Sequence, residues 1–243
     1  MLPNLKLKNS PIKEALISIA FSHPLGIKLE DLNKFCDKAK GNYPNKKPQF
    51  ESTVKIEEEE VIKNIEHVGY MLVSEDKKKY IKLNLNSVSF HRVEPYQSWE
   101  HLISETKIYW SELCILFPQM QIKQISVRYI NVMGIKFENG ETFHDYLTLL
   151  PDIPDIITTV VEGYFLQIKI PEPIKGLNSV VTEFFTLNQD IVEITLDINV
   201  MKNFDSLSIN DTNLWILFND LRAFKNNIFF NSITEKTKNL YNV

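Results

Sequence analysis

Glycine is scarce, at seven in 243 residues, and the only cysteines are Cys36 and Cys114. With so few glycines there is no GxGxxG, no P-loop and no GxSxG. Those loops bring backbone amides against phosphates or expose a nucleophile at a sharp turn. Two thiols cannot build a disulfide framework, and no CxxC or Cys/His cluster stands at zinc spacing. The five histidines (23, 67, 91, 101 and 144) lack HxH, HExxH and HxxxH spacings, so no metal and no cofactor is expected. Arginine is rare too, at Arg92, Arg128 and Arg222 among 27 basic residues. With a net charge of −4, the chain lacks the concentrated basic field of a nucleic-acid binder. No secretory signal and no apolar run long enough to span a bilayer are visible, and a cytoplasmic protein with reduced thiols is expected.

What is present is ordinary globular material, 44% hydrophobic and 24% charged. Charge is unevenly spread: residues 1–50 carry nine Lys against four acids, and residues 151–243 seven basic against twelve acidic groups. Ile12–Phe21 alternates as a strand, with Ala15, Ile17, Ile19 and Phe21 on one parity. Leu29, Leu32, Phe35, Cys36 and Ala39 recur at helical spacing, and Gly41 stands where the helix would be capped. Phe50, Val54 and Ile56 predict a half-buried strand, Glu57–Glu60 a solvated turn, and Val68–Ser74 a further strand. Tyr80–Val93 reads as one long strand with a bulge or bend at Asn86-Ser87, because its apolar parity switches there. Ser98 is placed to cap a helix running to Phe117.

The order then repeats. Gln121–Ile135 is a strand, Thr142–Leu149 a short helix, Ile156–Ile170, Asn178–Leu187 and Ile191–Val200 three strands, and a helix begins near 210–212. Each half reads strand, helix, three strands, helix. The expectation is an α+β fold of two duplicated units, 1–119 and 120–243, forming one largely antiparallel sheet with helices on one face. Its other face would be an open saddle, better suited to a partner than to enclosing a small substrate.

The segment from Phe90 to Glu100 is the densest in polar and aromatic side chains. Arg92 there could anchor an anion, Glu94 or His91 act as a base, and Tyr96 donate a hydrogen bond. Structurally, the same residues make a strand-to-helix corner. Arg128, in Val127-Arg128-Tyr129-Ile130-Asn131, is another isolated cation in a strand. If Glu14 and Arg128 face the covered side, each needs a charged partner. Glu14 is therefore expected to pair with Arg128 or Arg92, a buried bond whose loss in Arg128→Ala would cost about 3–5 kcal/mol.

Four stretches carry a family resemblance: Asn9–Ile17, Phe90–Trp99, Val127–Asn131 and Leu150–Pro154. Together they resemble a sporadically distributed family of uncharacterised bacterial proteins, often found in mobile or anti-phage gene neighbourhoods. The resemblance supplies no catalytic residues. It implies an accessory or partner-binding role in phage defence or toxin neutralisation. With no catalytic motif in view, the reading is a non-enzymatic protein-binding subunit with a protein partner or a second copy of itself, and no membrane. The alternative is a hydrolase or nuclease centred on Arg92, Glu94, Tyr96 and Arg128.

Overall fold

A computed structural model describes residues 7–57, 60–151 and 162–242. The first half runs β1 (Ile12–Ser22), α1 (Leu29–Ala39), β2 (Asn45–Glu57), β3 (Glu60–Val73), β4 (Lys79–Asn84), β5 (Ser87–Val93) and α2 (Trp99–Leu116). The second runs β6 (Gln121–Ile135), a single 3-10 turn at Phe143–Asp145, β7 (Phe165–Glu172), β8 (Leu177–Asn188), β9 (Ile191–Ser208), α3 (Leu214–Ser232) and α4 (Glu235–Leu240). All nine strands join one antiparallel sheet in the order β2-β3-β4-β5-β1-β6-β9-β8-β7. The α+β expectation therefore holds, and the sheet runs unbroken across the boundary at 119/120.

Register explains how one face becomes the core. Leu72, Ile81, Phe90, Ile17, Val127, Val200 and Ser179 are successive cross-strand neighbours. None of this row is more than 2% exposed. Over it pack α2, through Trp99, Leu102, Trp110 and Leu113, and α3, through Leu214, Phe218 and Leu221. Helix α1 adds Leu32, Phe35 and Cys36 beside α2. The next row out of register, Met71, Lys82, Ser89, Ser18, Ser126, Met201 and Asn178, faces the other way, because side chains alternate along every strand. Among the described residues no helix is long and apolar enough to cross a membrane.

Four readings need correction. Tyr80–Val93 is a hairpin, not a bent strand: β4 and β5 pair Ile81 with Phe90 and Leu83 with Val88 across a turn at Leu85-Asn86. Paired positions in that register have opposite parity, which is the switch seen in the sequence. The first half consequently has four strands after its helix, not three. Thr142–Leu149 is only a 3-10 turn, because the Leu147 backbone bridges to Ile233 and the Thr148 amide donates to the Ser232 carbonyl. Phe50 and Val54 are 61% and 57% exposed rather than half-buried, since β2 is an edge strand. Positions 58–59 of the acidic run and 156–161 of the expected strand lie outside the described residues.

Gly69 sits on β3 close against β4, opposite Asn84. A Cβ there would lie 2.0 Å from the Leu83 carbonyl oxygen, whereas one on Gly41 would meet nothing within 4 Å. Gly69→Ala should lower unfolding free energy by about 2–3 kcal/mol, and Gly41→Ala should change it by less than about 0.5 kcal/mol. Urea denaturation midpoints of the two variants check this, and equal effects would contradict the close approach.

Candidate functional site on the uncovered face of the sheet

The centre of the uncovered face carries a linked set of polar groups. Tyr80, His91, Leu16, Arg128 and Asn199 form one cross-strand row. Glu14 lies in the adjoining row, opposite Val93 on one side and Ile130 on the other, and Asp197 follows beyond Ile130. Glu14 thus has two diagonal neighbours, His91 on β5 and Arg128 on β6, both within reach of a long side chain. Arg128 likewise has two diagonal carboxylates, Glu14 and Asp197.

The structure settles both choices. Glu14 Oε1 accepts from His91 Nδ1 and from the Tyr80 hydroxyl, each at 2.5 Å. Arg128 turns the other way and forks onto Asp197, Nε to Oδ1 at 2.9 Å and Nη2 to Oδ2 at 2.5 Å. The expected pairing of Glu14 with Arg128 or Arg92 is therefore replaced by three separate pairs. Arg92 has even parity on β5 and faces α2, where it meets Glu105 together with Lys79 Nζ at 3.0 Å and the Tyr43 hydroxyl at 2.9 Å.

His91 is only 6% exposed, and its ring stacks on Tyr80 with centroids 4.1 Å apart. Its remaining nitrogen, Nε2, lies 2.8 Å from Ser89 Oγ. Burial lowers the imidazole pKa, outweighing the carboxylate that would raise it. Burial would also raise Glu14, but the hydrogen bonds from His91 and Tyr80 prevail and hold its carboxyl below the usual value. The bidentate bond to Asp197 raises Arg128, which stays charged.

Arg92, Glu94, Tyr96 and Arg128 do not converge. Glu94 pairs with Lys13 at 2.5 Å on the surface. The Tyr96 hydroxyl bonds that of Tyr129 at 2.7 Å beneath α3, where Lys225 lies 3.6 Å from the Tyr129 ring. Arg128 is on the opposite side of the sheet. Arg92 and Tyr96 do share a cavity of about 220 Å³ with Asp76, Lys78, Ser98 and His101. His91 and His101, which flank the corner in sequence, lie on opposite sides of the sheet. A shallow groove of about 540 Å³ at Trp110, Cys114 and Trp215 lies between α2 and the start of α3. The smaller cavity touches the uncovered face only at Val93, and the lining of the groove at Trp110 includes no residue of that face. Among the described residues no three His, Cys, Asp or Glu side chains cluster as metal ligands would.

Sequence reasoning missed Ser89, Tyr80, Asp197 and Glu105. The Ser-x-His spacing of Ser89-Phe90-His91 was partly visible, since residues two apart on a strand share a face. Also missed was Glu183, wholly buried, which among the described residues has only Tyr164 as hydrogen-bond donor and leaves Oε2 unpartnered. Burial pushes its carboxyl up to about 7.

No model of a known protein family matches the sequence, and no curated protein matches it at a significant level.

Two outcomes follow from this geometry. The Arg128 side chain is 42% exposed against 15% for Asp197, so its bond is half-buried and screened. Arg128→Ala should cost about 1–2 kcal/mol, between the values for exposed and buried pairs; a chemical-denaturation loss above about 3 kcal/mol would restore a buried bond. Stability should also depend on pH in two opposing ways. Folded His91 titrates below its ordinary 6.5, so its contribution is complete above 6.5 and lost as pH falls toward the folded value. Glu183 keeps its proton when folded until about 7 against an ordinary 4.5, so its contribution is complete below 4.5 and lost as pH rises through about 7. Urea midpoints of wild type, His91→Gln and Glu183→Gln between pH 4.5 and 8 separate the two. A wild-type profile in either variant removes that residue from the account.

Proposed function

We propose that this chain is a protein-binding accessory subunit that engages its partner through the face of the sheet that α1, α2 and α3 leave uncovered. The observation that carries the reading is the one-sidedness of the nine-stranded sheet. One row of side chains is sealed under helices, while the adjoining rows present half-buried polar groups fixed by one another. Side chains already held in place lose little conformational freedom on association, which favours recognition by a preformed surface. Toward β7 this polar centre meets an apolar rim, where Phe165, 68% exposed, stacks on Phe184 with centroids 6.4 Å apart. Polar positioning groups beside exposed aromatic anchors are the composition of a protein interface. A setting in bacterial phage defence or toxin neutralisation rests on the family resemblance alone. The scattering of Arg92, Glu94, Tyr96 and Arg128 removes the support for an enzyme centred on those four.

Affinity capture from the native host tests the reading, using wild type, an uncovered-face variant carrying Lys82→Glu and Lys169→Glu, and Lys34→Glu on α1 as control. One partner should be recovered by wild type and the control and lost from the double variant. Equal recovery by all three, or no partner with any, contradicts the proposal.

A further inference from the structure

The same face holds an arrangement that goes beyond partner binding. Ser89 and His91 are two apart on β5, so both side chains point to the uncovered side, and Ser89 Oγ lies 2.8 Å from His91 Nε2. Glu14, reaching diagonally from β1, accepts at 2.5 Å from His91 Nδ1. A carboxylate acceptor at Nδ1 places the ring proton there and leaves the Nε2 lone pair facing the serine hydroxyl. That is the order of nucleophile, base and orienting acid by which a weakly nucleophilic serine is activated, and it is recognised by geometry and not by sequence motif. The ring cannot swing away, since it is 94% buried and stacked on Tyr80, whose hydroxyl bonds the same carboxylate. Positive charge stands close by: Lys82 is the cross-strand neighbour of Ser89 on β4.

We propose that Ser89 is a nucleophile, with His91 its general base and Glu14 the positioning residue, and that this site hydrolyses small activated carboxylic esters. Ser89 Oγ bonds to the ester carbonyl carbon as its proton passes to His91 Nε2. The tetrahedral oxyanion forms under the field of Lys82, the cross-strand neighbour of Ser89. Its collapse breaks the bond to the leaving oxygen, which takes the proton from Nε2 and departs as the alcohol. Water then attacks the acyl-Ser89 ester by the same route, releasing the carboxylic acid and restoring the serine. Among the described residues no element walls in this sheet face, so the site grips little beyond the reacting carbonyl. This limits the class to short acyl groups on good leaving groups, such as aryl esters, and excludes peptide amides.

The test is reaction of the full chain with an alkyl fluorophosphonate, which phosphonylates activated serines, read by intact mass and peptide mapping, alongside phenol release from p-nitrophenyl acetate. Wild type should be modified once, at Ser89. Ser89→Ala should lose both modification and phenol release with an unchanged melting temperature, because among the described residues Ser89 Oγ bonds only His91. His91→Gln should slow modification by about 100-fold. In wild type the rate should be flat down through pH 6.5 and fall only at lower pH, because burial lowers the pH at which the imidazole takes up its proton. No modification at Ser89, equal labelling of Ser18 or Ser126, or a rate that rises with pH through 8 without a plateau overturns the proposal. These outcomes leave the partner-capture result untouched, so the two readings fail separately.

Discussion

The antiparallel pairing of β1 with β6 is the constraint on which the rest depends. It joins the two halves of the chain, and its register puts Ile17 opposite Val127 and Leu16 opposite Arg128. Because side chains alternate along a strand, fixing one pair fixes both faces: a slip of one residue would send either Ile17 and Ile19 or Val127 out of the core and carry Glu14 or Arg128, respectively, into it. A charge sealed there without a partner costs several kcal/mol. The apolar rows under α2 and α3 therefore lock the polar rows on the opposite side, and the uncovered face is a consequence of how the core is filled.

Within that frame, each charged group chose between two diagonal neighbours. Glu14 could reach Arg128 or His91, and Arg128 could reach Glu14 or Asp197. The outcome divides the face into two units. One is neutral or negative and tightly held: Glu14, Tyr80, His91 and Ser89. The other is the forked Arg128–Asp197 bond, which is more exposed. Arg92, next to His91 in sequence, belongs to neither, because a single step along β5 moves it to the helix side and to Glu105.

Much of this was legible in the sequence. The clean alternation of Ile12–Phe21 and Ile191–Val200 identified their strands and their buried sides, and Ser98 marked the start of α2, where its Oγ accepts from the His101 amide. The misread stretches share a cause: local pattern does not reveal what the backbone pairs with. The parity switch in Tyr80–Val93 fits either a bulge or a hairpin, and only the pairing of Ile81 with Phe90 decides. The Glu14 partner was missed because it depends on strand order, with β5 and β6 flanking β1 on either side. Phe50 and Val54 alternate like core residues but lie on an edge strand, where alternation does not imply burial.

The claim that carries most of this account is that Glu14 fixes the tautomer and the charge of His91 on the uncovered face. Long-range nitrogen–proton correlation spectra of the His91 imidazole, recorded across pH in wild type and Glu14→Gln, test it directly. The account predicts a proton on Nδ1, a bare Nε2 and a titration midpoint below the ordinary 6.5 in wild type. It also predicts loss of the single tautomer in Glu14→Gln. A ring protonated at Nε2, or one that titrates at its ordinary value and ignores the Glu14 substitution, would contradict it.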